Sequence, residues 1–470
     1  EGMWDIAIQG YSKAIEAVEQ TRSWATDDQR RQEILREGIG VYDKAIQACI
    51  NNQELDRAFM FVERSRSRHL VELIATNDLY KDGNIPAQAL EWLQTKAPKL
   101  KQLWEDYSNL QRAIDAQRQQ QQGDDSKQLA TTKRTTFDFK QASQEISALI
   151  TAKDQIWKQI RILDPVLAGQ LQVEIPNFSE LQKLVEHNTT ALLAFYTTAD
   201  ATYIFVMRQI EQEVKVSVHT CVHNAKAQSW ENLQSWIGEN WLAPYKKNQN
   251  AWINAMPDHL DTISQKLDLT SLIATHLQGI EELILVPYAY LHLIPFAALP
   301  ISLPDSKTEY FGDRFKLRYA PSCQILKYCF DRDPISSIQC GTVEDAQSNL
   351  VYARFECEII AQLLSIPSDH RLQQQNATVA NFRKLATMVN LLHSSHHATS
   401  NLVDPLNSAI ALADGEITMA ELMSPDLRMP NLDEVFLSCC ETNLGPPNIT
   451  DDLLTLGTGF LAAGARAVIS

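Results

Sequence analysis

From Leu283 onward the chain alternates short apolar runs with helical patterns. Leu283–Val286, Val389–His393, Ala409–Leu412, Val435–Ser438 and Ala465–Ser470 read as strands. Between them Phe355–Leu364, Thr378–Leu385, Met419–Met423 and Leu453–Ala463 read as helices, with apolar residues at three- and four-residue steps. Apolar strands separated by helices predict a largely parallel sheet covered on both faces.

Two of these strands change character at their C-terminal ends, where open α/β sheets place binding and catalytic groups. Leu391-Leu392 runs into His393-Ser394-Ser395-His396-His397-Ala398, and Val435-Phe436-Leu437 runs into Ser438-Cys439-Cys440-Glu441-Thr442. One strand offers an imidazole and the other a thiol. An imidazole that takes the thiol proton leaves a thiolate able to attack a carbonyl, so the pair suits covalent acyl transfer. Alternation along an extended segment sends Cys439 and Cys440 to opposite sides, so only one of them is expected in a shared cleft.

The chain begins differently. From Trp4 to about Ile74 the pattern is helical, with Trp4, Ala7, Ile8, Tyr11, Ala14, Ile15 and Val18 on one face. The stretch Tyr11-Ser-Lys-Ala14-Ile15-Glu-Ala17 returns as Tyr42-Asp-Lys-Ala45-Ile46-Gln-Ala48, 31 residues later. That is close to the roughly 34-residue period of tetratricopeptide repeats; an irregular helical bundle is the alternative. Arg64, Arg66 and Arg68 are expected on a solvated or ion-paired face. Asp82-Gly83-Asn84-Ile85-Pro86 marks a loop, and a long polar helical stretch follows to about Ile162. The break at Gln117 to Asp125 reads as the tip of a helical hairpin.

After Asp164-Pro165 and Ile175-Pro176 the pattern turns to strands: Ala191–Tyr196, Ala201–Met207 and Val214–Val222, the first two joined by a turn at Thr198-Ala199-Asp200. His219, Cys221 and His223 alternate onto one face of the third. Strand residues do so whatever their role, and no fourth zinc ligand is evident. Trp236, Trp241, Pro244, Tyr245 and Trp252 mark a loop-rich section of packing aromatics. The expected organisation is helical repeats over 1–80, a helical hairpin or linker over 81–170 and an α/β domain over 171–470. That domain divides into a β-rich half at about 171–265 and a second half at about 266–470.

Composition narrows the function classes. A formal charge of −16 argues against a general nucleic-acid surface, and no direct nucleic-acid binding is expected. No apolar run reaches the 18 or so residues of a membrane span. Eight scattered cysteines without CxxC pairs suit reduced thiols in a cytoplasmic setting. The chain stops inside a strand pattern at Ala467-Val468-Ile469-Ser470, and both ends read as cuts in a longer protein.

Several motifs occur together in one order. They are Glu63-Arg64-Ser65-Arg66, Leu285-Val286-Pro287 with Leu291-His292-Leu293-Ile294-Pro295-Phe296, Leu392-His393-x-x-x-His397, Leu437-Ser438-x-Cys440-Glu441-Thr442, and Phe460-Leu-Ala-Ala-Gly464-Ala-Arg466-Ala-Val468. From about Phe178 to Ser470 the chain closely resembles CHAT proteases, caspase-like and separase-related domains associated with tetratricopeptide repeats. The fold class implied is α+β and multidomain: tetratricopeptide-like helical repeats, then a caspase-like α/β domain with a mostly parallel sheet flanked by helices.

The resemblance implies His397 as the catalytic histidine and Cys440 as the nucleophile, with no cofactor. His393 is expected to be packed or structural. The oxyanion would be held by the backbone N–H groups of Ala398 and Cys440; losing one such donor typically costs on the order of a hundredfold to a thousandfold in rate. The family usually has Gly where this chain has Ala398, and a requirement for positive φ there would strain alanine. Asp451 and Asp452 are expected either to line a pocket for a basic P1 residue, as in some caspase relatives, or to cap the Leu453 helix, the commoner fate.

The resemblance further implies a cysteine endopeptidase that cleaves protein substrates. A regulatory protein or ribonucleoprotein partner would act through the helices, as in bacterial immunity or signalling. A catalytically silent interaction scaffold is the alternative, and Ala398 is the feature that favours it.

Overall fold

The computed structural model describes residues 3–24, 28–66, 177–185, 187–302, 308–331, 337–401, 404–423, 427, 429, 431–440, 442 and 455–470, with isolated helical positions between 99 and 159. Three helices open the chain: α1 (Trp4–Trp24), α2 (Asp28–Asn51) and α3 (Leu55–Ser65). Ile8 and Ile15 of α1, Tyr42, Ala45, Ile46 and Cys49 of α2, and Phe59 and Val62 of α3 are buried together, at the three- and four-residue steps of the sequence pattern. The echoed positions Ile15 and Ile46 are both inside. The three helices do not themselves establish a tetratricopeptide array. The tip at Gln117 to Asp125, and Arg68, lie outside the described residues.

Arg64 is ion-paired as expected, 2.6 Å from Glu19. Arg66 is not on a solvated face. It is 2% exposed, and its Nη1 donates to the carbonyls of Val286 (3.0 Å) and Pro287 (3.3 Å), with the guanidinium over the Tyr288 ring. The reason lies in docking: α3 ends against the first sheet, which encloses the arginine.

That sheet contains β1 (Thr190–Thr197), β2 (Thr202–Ile210), β3 (Glu213–Thr220), β4 (Glu282–Val286) and β5 (Lys316–Tyr319) in the order β3-β2-β1-β4-β5. The three N-terminal strands are antiparallel, and β1, β4 and β5 run parallel. Thr198 closes the first hairpin by accepting the N–H groups of Asp200 and Ala201 on its hydroxyl. His219 lies 3.4 Å from Asp268, Cys221 is buried, and His223 sits apart in a two-residue strand, so the three do not converge.

The section with Trp236 and Trp241 differs from expectation. It is helical over Glu231–Ser235, Gly238–Leu242 and Ala243–Lys247, with Pro244 inside a helical run that extends over 230–247. Its aromatics do pack: Trp241 and Tyr245 meet the Trp252 ring edge-on at about 5 Å. No described helix is long and apolar enough to cross a membrane.

The second sheet begins after α4 (Cys323–Phe330) and is all parallel. Its strands are β6 (Cys340–Glu344), β7 (Arg371–Gln373), β8 (Leu391–Ser395), β9 (Glu434–Leu437) and β10 (Ala467–Ile469), in the order β7-β6-β8-β9-β10. α5 (Val351–Leu363) connects β6 to β7, and α6 (Val379–Met388), capped by Thr378, leads to β8. α7 (Met419–Leu422), with a Thr418–Glu421 capping box, precedes β9, and α8 (Leu456–Ala463) precedes β10. Each such cap is worth about 1 kcal/mol. Gly464, at φ 133°, ends α8 in a backbone region that L side chains rarely adopt.

One face of this sheet carries the apolar core: Leu392, Val435 and Leu437 lie with Phe382, Leu385, Leu422 and Phe460 of α6–α8. β6 and α6 approach so closely that a Cβ at Gly341 would meet Leu385 and Val389 at 3.0 Å. The other face meets α5 over β6 and β8, leaving Phe436 and Ile469 partly exposed. Asp451 and Asp452 lie outside the described residues. The helix after them begins at Leu456 and is capped by Thr455 through the Thr458 N–H, so that cap is not an aspartate.

Candidate active site

The parallel register of β8 and β9 pairs Ser394 with Leu437. His397 and Cys440 each follow three residues beyond that pair, so they leave neighbouring strands at the same, carboxyl end of the sheet. Cys440 is exposed and His397 half-exposed. Among the described residues no hydrogen bond joins the His397 ring to the Cys440 thiol.

The neighbours are chemically quiet, His396 buried and Cys439 partly buried. His396 is 2% exposed; its Nε2 is 2.7 Å from the Ser394 hydroxyl and its Nδ1 3.0 Å from the His397 carbonyl. Burial pulls its pKa down to about 4, so at neutral pH it is uncharged and engaged. The Cys439 thiol donates to the Ser394 carbonyl at 3.3 Å, and burial pushes its pKa up to about 11. A thiol held protonated there is a poor nucleophile. Cys439 is thus partly buried and engaged while Cys440 is exposed, in a bend and turn beyond the end of β9 rather than along an extended segment.

His393 is packed, as the sequence suggests. It is buried, stacked on Phe436 at 4.9 Å, and held below its usual pKa chiefly by burial, against the pull of Glu356. Its Nε2 lies 3.3 Å from Glu356 without hydrogen-bond alignment.

Three side chains around the strand ends were not singled out from sequence. Glu356 of α5 accepts hydrogen bonds from Ser395 (2.8 Å) at the end of β8 and from Ser438 (3.1 Å) just past β9. One carboxylate oxygen therefore joins the two strand ends, one row below His397 and Cys440. Asn349, in the turn between β6 and α5, places its Oδ1 2.9 Å from His397 Nε2. Asp345 shapes that turn, accepting the N–H groups of Asn349 (2.8 Å) and Leu350 (2.7 Å), while its own N–H donates to the Ser395 carbonyl (2.9 Å). Ser438 belongs to the Leu-Ser-x-Cys motif and could have been found there. Asn349 and Glu356 have no signal beyond an Asp-to-Asn turn after a strand.

Ala398 lies in a two-residue strand, Ala398–Thr399, paired antiparallel with Ala409–Ala411. It is not among the residues with positive φ, so alanine is not strained there. The expected conflict does not arise, because the segment is extended. The Ala411 N–H donates to the His397 carbonyl at 2.8 Å, which makes Ala398 and Ile410 a pair that exchanges no hydrogen bonds. The Ala398 N–H therefore points away from its partner strand and is not used by the ladder.

Among the described residues no three His, Cys, Asp or Glu side chains are grouped to hold a metal ion.

Comparison with known proteins agrees with the motifs. The family model described as CHAT domain matches residues 259–470, a span that includes β4, β5 and the whole second sheet. No curated protein matches the chain. Residues 259–470 carry a CHAT domain, the domain of a caspase-like peptidase family.

Proposed function

We propose that the chain is a cysteine endopeptidase in which Cys440 is the nucleophile and His397 the general base. One observation carries this reading. The register of β8 and β9 brings His397 and Cys440 to the same sheet end, accessible to solvent, while beside them His396 is buried and uncharged and Cys439 is partly buried with its thiol held protonated.

In the proposed cycle the His397 imidazole takes the Cys440 proton, and the thiolate attacks the peptide carbonyl carbon. The resulting oxyanion accepts hydrogen bonds from the backbone N–H groups of Ala398 and Cys440. Collapse breaks the C–N bond, and the imidazolium protonates the departing amine. Water, deprotonated by His397, then hydrolyses the thioester and restores the thiol. Helices α1–α3, docked on the first sheet, are the proposed contact for a regulatory protein or ribonucleoprotein partner. They fit a tetratricopeptide-like platform, and the setting proposed is cytoplasmic, in immunity or signalling.

A silent scaffold is the second reading, favoured by the absence of a His397–Cys440 hydrogen bond among the described residues. Labelling with an electrophilic peptide probe separates the two. The endopeptidase reading expects covalent modification confined to Cys440, found by peptide mass spectrometry, and reduced at least a hundredfold in His397→Ala. Equal labelling of parent and His397→Ala would overturn it.

A further inference from the structure

Asn349 stands 48 residues from His397 in sequence, and its amide oxygen is 2.9 Å from His397 Nε2. An amide oxygen only accepts, so the ring nitrogen facing it carries the proton. His397 is then in its Nε2–H tautomer, and Nδ1 is the nitrogen left to take a proton.

Two surface side chains that happen to touch would not justify a role. Here the turn that carries Asn349 is tied down on both sides. Asp345 is fully buried and binds the N–H groups of Asn349 and Leu350 through Oδ1. Its carbonyl accepts the Ser348 N–H at 2.8 Å, and Arg354 Nε lies 3.1 Å from its Oδ2. Its own N–H donates to the Ser395 carbonyl, two residues before His397. The turn that carries Asn349 and the strand that leads into His397 are thus joined through Asp345, which holds the two side chains near one another.

We infer that Asn349 is a positioning residue that fixes the tautomer and orientation of His397, leaving Nδ1 as its basic nitrogen. The consequence for Cys440 rests on the cysteine–histidine pairing proposed above; the effect on the His397 ring does not. A neutral amide orients the ring without adding charge.

The test uses the full chain in four forms: parent, Asn349→Ala, Asn349→Asp and His397→Ala. Nitrogen NMR of labelled histidines reads the His397 tautomer, with His397→Ala supplying the assignment. Iodoacetamide alkylation of Cys440 against pH, followed by peptide mass spectrometry, reads the thiolate.

The expected results are an Nε2–H tautomer in the parent and a tautomer mixture in Asn349→Ala. The same variant should slow Cys440 alkylation near neutral pH by on the order of tenfold, the scale of one lost hydrogen bond to a charge-bearing ring. Asn349→Asp, which keeps an acceptor oxygen at that place, should keep the Nε2–H tautomer. An unchanged tautomer in Asn349→Ala overturns the inference. So does an unchanged alkylation rate in Asn349→Ala when His397→Ala lowers it. A tautomer change with equal alkylation in parent, Asn349→Ala and His397→Ala supports the positioning of the ring and removes the cysteine–histidine reading instead.

Discussion

The two five-stranded sheets treat the carboxyl ends of their strands in opposite ways. In the first, β4 runs into Pro287, and the space beyond is filled. Arg66 binds the carbonyls of Val286 and Pro287, the Tyr288 ring lies under its guanidinium, and Gln234 reaches the Tyr288 carbonyl. Glu63 accepts the Cys323 N–H at 2.9 Å, so a helix of the N-terminal region closes this end from both sides. In the second sheet the same end carries Ser395, Ser438, His397 and Cys440, with His397 half-exposed and Cys440 exposed. A sheet end that receives a docking helix becomes core. A sheet end left to polar side chains keeps reactive groups in reach of solvent.

The sharpest form of this contrast is a cysteine at each place. Cys323 is fully buried, with burial holding its thiol well above the usual range, whereas Cys440 is exposed. Under native conditions iodoacetamide is expected to modify Cys440 at least a thousandfold faster than Cys323, because the buried thiol must wait for local opening. Peptide mass spectrometry over a time course reads both rates. Comparable rates would mean that the first sheet end is not closed.

Arg66→Ala attacks the plug directly. It removes a buried side chain and leaves two buried carbonyls without its donors, a loss of about 3 kcal/mol in urea unfolding. The rate of Cys440 alkylation should stay within about twofold of the parent, since the two sheet ends share no hydrogen bond among the described residues. A large change at Cys440 would show that plug and site act as one unit.

The two regions should also respond to pH with opposite signs. His396 titrates near 4 in the folded chain against an ordinary value of 6.5. Between these values the unfolded chain binds a proton that the folded chain refuses, so stability present above pH 6.5 falls by about 3 kcal/mol as pH drops to 4. Asp43 of α2, which accepts the Tyr196 hydroxyl of β1, is raised by burial from 3.8 to about 6. There the folded chain keeps a proton that the unfolded chain has lost, so stability falls as pH rises from about 4 to 6. Its half-buried carboxylate limits the effect to about 2 kcal/mol. Urea titrations across this range should find His396→Gln flattening the acid loss and Asp43→Asn gaining on the parent progressively between about pH 4 and 6. Parallel curves for parent and variant would rule out the group concerned.

Much of the second region is legible in the sequence. Apolar runs that end in His-Ser-Ser-His-His and Ser-Cys-Cys announce strand ends. What supports those ends is not legible. β6, Cys340-Gly-Thr-Val-Glu, lacks a continuous apolar run, because its polar residues are buried by partners from elsewhere, as Glu344 is by Arg371. Glu356 reaches Ser395 and Ser438 across 39 and 82 residues. Such pairs have no local periodicity to read. Arg66 fails for the same reason: its sequence neighbourhood looks like a surface, and only docking of α3 encloses it.

The smallest expected effect concerns the joint between the reactive strands. Ser395 and Ser438 both donate to Oε2 of Glu356, which fixes the spacing of the two chains one row below His397 and Cys440. Glu356 is about one-third exposed, so water competes for its oxygens and the joint is weak. Glu356→Ala should cost about 1 kcal/mol of stability and slow Cys440 alkylation by on the order of fivefold. Glu356→Gln separates spacing from charge: its amide oxygen can still accept both hydroxyls, but the negative charge facing His393 is gone. If spacing is what matters, the glutamine variant alkylates like the parent and the alanine variant does not. Equal slowing in both would assign the effect to charge. No slowing in either would mean that the second sheet end keeps its spacing without polar side chains, and the contrast between the two ends would reduce to the Arg66 plug alone.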